Sequence, residues 1–138
     1  MSSPSAAGKP RPEFRNIHVT QILHYRLPPP GMVSILHRVS GALLFLALPL
    51  VLWLFDLSLM SERSYARLVD FASHWLVKVI LLGLIWAFLH HLIAGLRYLA
   101  LDLHLGVEKA AARTSALAVF WISLPLTLLA GLKLFGVF

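Results

Sequence analysis

Cysteine is absent from this 138-residue chain. A disulfide framework, a thiolate zinc site and a cysteine-held iron–sulfur cluster are therefore excluded. Charge is nearly as scarce. Only 13% of residues are Asp, Glu, Lys or Arg, against 59% hydrophobic ones. Ordinary soluble domains run near about 25% charged and about 45–50% apolar. Acidic residues number six against twelve basic ones, giving a net charge of +6. Such a surplus can mark a nucleic-acid binder, but here the basic residues lie mainly at the ends of apolar runs. No basic face forms on a soluble element, so nucleic acid is not an expected partner and the charge reads as topogenic.

Three stretches contain no Asp, Glu, Lys or Arg at all: Val39–Phe55, Val79–Leu96 and Thr114–Leu132. A membrane-spanning helix needs about 20 predominantly apolar residues, and each stretch reaches that length with its flanks. A soluble three-helix bundle would require a polar face on each helix, and these are apolar nearly all round. The expected fold class is an all-α membrane protein with three transmembrane helices in contact with membrane lipid. Residues 1–31 form an N-terminal segment and residues 32–138 the three-helix transmembrane domain.

The lead segment holds six of the eight prolines. Proline removes a backbone donor and breaks helices, so Met1–Pro12 is expected to be disordered. No apolar run opens the chain, so no cleavable signal peptide is expected. Phe14, Ile17, Val19, Ile22, Leu23 and Tyr25 give the following segment something to bury, against either a soluble partner or the lipid surface. Pro28-Pro29-Pro30-Gly31 predicts an extended turn before the first helix.

The first helix is expected from Met32 to Leu57, with Pro49 a candidate kink. Ser34, Arg38 and Gly41 share one face and His37 lies beside it. Arginine this close to a helix start either snorkels to the headgroups or turns inward with Ser34 to grip a polar head, such as a quinone carbonyl or a carboxylate. The mixed-charge stretch Ser58–Ala72 reads as a solvated loop. A second helix follows from Ser73 to Leu101, with Trp75 and Lys78 as interface anchors. A third runs from Thr114 to Phe135. It follows a solvent-facing turn over Asp102–Arg113 and carries no assigned chemistry.

The second helix holds the most informative stretch, His91 to Asp102. Positions 91, 95, 98 and 102 run down one face. An imidazole within a hydrocarbon segment is costly without a partner and is a functional candidate by default. Gly95 removes bulk one turn away, room for a flat group to approach. Haem fits that description, since neutral imidazole ligates its iron. The alternative is a structural donor that ties helices together. Of the neighbouring pair, His91 is expected to face the bundle, and His90 to bond a neighbouring helix or a carbonyl. Antiparallel threading brings Ser34, Arg38 and His91 to similar depth in one leaflet. Eight Lys and Arg lie on the N-terminal side and four on the other, which predicts a cytoplasmic N-terminus and a periplasmic C-terminus.

Ser34-Ile-Leu-His-Arg-Val-Ser-Gly41 resembles the Ser-Ile-x-His-Arg-x-(Ser/Thr)-Gly signature of the cytochrome b subunit of succinate dehydrogenase. His91-x-x-x-Gly95-x-Arg97 followed by Asp102 resembles the family's second signature, and Arg11-Pro12 its N-terminal lead. The likeness covers residues 10–105. It implies that His91 is the axial ligand of a haem b iron, that Ser34 and Arg38 belong to the ubiquinone pocket, and that His37 and Arg38 lie near the haem propionates. It implies no catalytic residue in this chain. The chain would be a membrane anchor of a succinate:quinone oxidoreductase, serving the tricarboxylic acid cycle and the respiratory chain. A second small membrane anchor subunit would complete a heterodimeric haem-binding bundle and share the one haem, beside an iron–sulfur subunit and a flavoprotein subunit that oxidises succinate.

Two features depart from the family pattern. Tyr98 stands where many relatives have histidine. The segment Glu13–Leu27 lacks the Ser-Pro-His-Leu lead of mitochondrial relatives, which favours a bacterial type in the inner membrane. Three alternatives stand beside this reading: a fumarate reductase anchor, a haem-free structural subunit, and a small transporter or channel subunit. The last would want polar residues strung through the whole membrane thickness, and here they cluster at one end.

Overall fold

The computed structural model describes residue 20 and residues 25–137. The readings of Met1–Pro12 and of the apolar positions 14–23 lie outside the described residues. Four helices and no strand occur among the described residues: α1 (Pro29–Met60), α2 (Glu62–Ser73), α3 (Trp75–Asp102) and α4 (Lys109–Leu134). Three of them, α1, α3 and α4, are long and apolar enough to cross a membrane. The three-span, all-helical expectation therefore holds.

Three boundaries differ from the sequence reading, each for a local reason. The helix α1 begins inside the proline run rather than after it. Pro28 is extended and caps the helix, and proline occupies its first positions, where an amide N–H has no intrahelical partner anyway. The amides of Gly31 and Met32 both donate to the Pro28 carbonyl, at 2.9 and 3.1 Å. At 32 residues α1 is about 48 Å long, longer than a hydrocarbon core of about 30 Å, and it continues through Pro49.

The second difference is the stretch read as a solvated loop. It is a twelve-residue helix, α2, set off from α1 by one extended residue, Ser61. The Ser64 amide donates to Ser61 Oγ at 3.1 Å and the Ser61 amide donates to Ser64 Oγ at 3.0 Å. This reciprocal capping satisfies two otherwise orphaned donors. The third difference is that α4 starts at Lys109, five residues early. Lys109-Ala-Ala-Ala-Arg113 is rich in strong helix formers, so the helix extends into the expected turn. The connection shrinks to residues 103–108, closed by His104 and Gly106 at positive φ.

The helix α3 is the central element, packed against both α1 and α4. Its side toward α4 is built from small residues. Ala87, Ala94, Ala116 and Val119 are fully buried, as are His90 and Ser123. Small residues let helix backbones approach closely where lipid gives no hydrophobic drive to association. Gly131 shows the limit: a Cβ there would lie 3.1 Å from Leu82 Cδ1. Large apolar side chains such as Phe45, Leu46, Trp53 and Trp121 point outward. That inversion suits a bilayer and not water.

Candidate histidine-centred site

The site lies between the first turns of α1 and the second half of α3. His91 approaches the α1 backbone, and its Nδ1 lies 3.0 Å from the His37 carbonyl. A carbonyl only accepts, so this contact requires a proton on Nδ1. Ser40 Oγ donates to the same carbonyl at 3.0 Å and lies 3.3 Å from Nδ1. Of the two neutral tautomers, these contacts select the one whose lone pair is on Nε2, a form in which imidazole binds a metal ion. Nε2 makes no hydrogen bond among the described residues.

Gly41 makes this approach possible. A Cβ at residue 41 would stand 2.7 Å from His91 Cε1 and 3.2 Å from Nδ1, closer than a side chain tolerates. The sequence reading grouped Gly41 with Ser34 and Arg38 on one face. Its part in seating His91 depends on a close tertiary approach that no local pattern announces. Gly95 has the opposite outcome. The room expected beside it for a flat group is taken by His37, whose Nε2 would lie 3.6 Å from an added Cβ. His37 stacks on His91 with ring centroids 4.1 Å apart and planes 8° from parallel. Tyr98 closes the other side, its ring 5.1 Å from that of His37. Stacked rings do not aim their nitrogens at one another, so in this arrangement the pair cannot flank one ion from opposite sides. No group of three His, Asp or Glu residues converges among the described residues.

The neighbouring histidine behaves differently from expectation. His90 is 0% exposed, wedged at the α3–α4 interface between Trp86 and Phe120. Neither ring nitrogen has a hydrogen-bond partner among the described residues. It faces a neighbouring helix but bonds nothing on it, and it is more deeply buried in this chain than His91. The α4 face toward α3 offers Phe120 and buried Ala116 and Val119, and its buried Ser123 hydroxyl makes no hydrogen bond among the described residues either.

Ser34 and Arg38 are brought together. Arg38 Nη2 donates to Ser34 Oγ and Arg38 Nε to the Ser34 carbonyl, both at 3.3 Å. Arg38 is exposed and Ser34 half-buried, so most guanidinium donors remain available. Ser34 lines a cleft of about 500 Å³ with Pro30, Gly31, Arg97, Tyr98 and Ala112 among its walls. Arg97 is tied down there. Its Nε donates to Ser115 Oγ at 2.9 Å and its Nη2 to the Ala112 carbonyl at 3.1 Å. Helix α4, assigned no chemistry from sequence, thus supplies the acceptors that hold this arginine at the bundle end.

Fold and site define a class: a multi-pass helical membrane subunit with an imidazole and a serine–arginine pair gathered at one end. The succinate dehydrogenase/fumarate reductase transmembrane subunit family matches residues 11–130, and the chain belongs to that family. A succinate dehydrogenase cytochrome b556 subunit of Coxiella burnetii is 37% identical over 109 residues, covering 78% of this chain and 86% of the relative. The subunit of the same name from Paracoccus denitrificans is 35% identical, covering 76% and 81%. That from Rickettsia felis is 31% identical, covering 76% and 82%. The likeness carried by the two motifs is borne out, and the chain is a membrane subunit of this family.

Proposed function

We propose that this chain is the cytochrome b anchor of a bacterial succinate dehydrogenase, with one haem b ligated by His91 and a ubiquinone head held by Ser34 and Arg38. The observation that carries the reading is the bond from His91 Nδ1–H to the His37 carbonyl. It fixes the ring and leaves Nε2 as the ligand atom. The donor set fits haem in that respect, while the Gly95 side, filled by His37, does not serve as its cradle. When bound, the haem supplies a one-electron carrier whose potential depends on its axial ligands and surroundings.

The residues of this chain do the rest. His91 presents a neutral nitrogen, and Ser40 with the His37 carbonyl holds its tautomer. Because His37 stacks on His91, a second imidazole for the haem would come from the second small anchor subunit and not from His37. His37, stacked on His91, and Arg38, the next residue along α1, would be the groups of this chain to meet the propionates. Arg38 offers a charged donor to a quinone oxygen as negative charge develops there, and Ser34 orients it. Succinate is oxidised on the flavoprotein, and electrons arrive through the iron–sulfur subunit. The names of the relatives favour this direction over fumarate reduction. The positive-charge asymmetry supports an N-terminus on the cytoplasmic side of the inner membrane.

The test is made on the purified complex. The expected result is b-type bands in the wild type, and an Arg38→Leu variant that still passes electrons from succinate to an artificial acceptor. Its quinone reduction is expected to fall about 10- to 100-fold, the worth of one hydrogen bond to a charged group. Unchanged quinone reduction in Arg38→Leu contradicts the quinone assignment. A wild type without bands reduces the chain to a haem-free anchor.

A further inference from the structure

The helix α2 has a use that a solvated connection does not explain. At about 100° per residue, Ser64, Leu68 and Ala72 form one stripe. All three are half-buried, and Ser64 Oγ donates to the Leu57 carbonyl at 2.7 Å, tying α2 to the last turns of α1. Glu62, Arg63, Arg67 and Asp70 lie on the opposite side and are exposed. Between the two, on the flanks, stand apolar side chains that nothing among the described residues covers. Tyr65 and Val69 on one flank are 56% and 50% exposed, and Phe71 on the other is 60% exposed.

The position of α2 is constrained. One residue, Ser61, separates it from α1 and one residue, His74, from α3, and both neighbours are membrane-spanning. It must therefore lie where those helices leave the bilayer. The same bundle end carries Trp75, which is exposed, and Lys78, whose Nζ lies 5.6 Å from the Phe135 ring. Aromatic and lysine side chains of this kind gather at the level of the headgroups.

We propose that α2 is an interfacial helix, with Tyr65, Val69 and Phe71 seated in the boundary between headgroups and acyl chains and the Glu62–Asp70 face turned to water. The occupant of its apolar flanks is lipid and not protein. A partner docking from the aqueous side would meet the charged face, whereas α2 is joined by single residues to two spanning helices whose own outward side chains are apolar. Such a helix binds through buried apolar area at the boundary. It would set the depth at which α1 and α3 are held.

The chain has no cysteine, so single labels can be placed in it within membrane vesicles carrying the whole complex, with the unsubstituted complex as background. Nitroxides at Tyr65→Cys, Val69→Cys, Phe71→Cys, Arg67→Cys and Asp70→Cys are compared by power-saturation EPR. Oxygen serves as the lipid-soluble relaxant and a nickel chelate as the water-soluble one. The expected result is an oxygen-to-nickel collision ratio several-fold higher at Tyr65, Val69 and Phe71 than at Arg67 and Asp70. Nickel dominance at all five positions overturns the proposal in favour of a solvated helix. Exclusion of both relaxants from the apolar positions overturns it in favour of a covering protein. If Tyr65→Cys prevents assembly, Val69 and Phe71 decide between the same outcomes.

Discussion

The two sides of α3 treat adjacent histidines in opposite ways. Toward α1, His91 is half-buried, hydrogen-bonded to a carbonyl and stacked on a second imidazole. Toward α4, His90 is wholly buried among alanine, valine and aromatic rings, and neither it nor the buried Ser123 hydroxyl of α4 is hydrogen-bonded among the described residues. Depth of burial alone would select His90 as the special residue. Bonding selects His91, because a ligand needs a fixed tautomer and a free lone pair rather than maximal enclosure. Buried polar groups without partners carry a cost. On this account the α4 side is a packing surface that tolerates an imidazole, and the α1 side is built around one.

That contrast can be broken at its most rigid point. Gly41→Val places a Cβ 2.7 Å from His91 Cε1 and adds two methyl groups beyond it. The His91 ring must leave the His37 carbonyl, and haem content per complex is expected to fall nearly as far as on loss of the ligand itself. Haem extracted from the purified complex and quantified as its pyridine adduct measures this. A wild-type content would show that His91 does not need its seat on α1.

Ser40→Ala has an intermediate effect. It removes a group that shares the His37 carbonyl but leaves the bond from His91 in place. Haem affinity should drop by about tenfold, the low end for an outer-shell partner, read from haem retention during dilution in detergent. The smallest effect belongs to Gly95→Ala. Its Cβ would meet only His37 Nε2 at an ordinary 3.6 Å, so haem content and the spectrum should match wild type. A loss as large as that of Gly41→Val would mean that the bundle closes more tightly around the cofactor than this chain alone shows.

Much of this was legible in the sequence. The three spans were, because length and hydropathy are local properties. So was the gathering of Ser34, His37, Arg38 and His91 at one end, because antiparallel threading of two spanning helices allows little else. The division of labour between His90 and His91 was only half legible. Residues 100° apart on a helix flanked by two others each find a neighbour, and periodicity does not say which neighbour offers a carbonyl. The use of Gly41 and Gly95 was not legible, since it depends on distances between helices. The helix α2 was missed for a different reason. Ser61-x-x-Ser64 and the spacing of Tyr65, Leu68, Val69 and Ala72 were present, but four interspersed charges made the stretch look solvated.

The most direct test of the central claim compares two variants of the purified complex by reduced-minus-oxidised optical spectroscopy, His91→Leu and His90→Phe. The account predicts that the b-type bands vanish in His91→Leu while the other subunits still co-purify. They should persist in His90→Phe, because the imidazole there makes no hydrogen bond among the described residues that a phenyl ring would lose. Bands that survive His91→Leu, or that are lost only in His90→Phe, would contradict it and move the ligand to the α4 side.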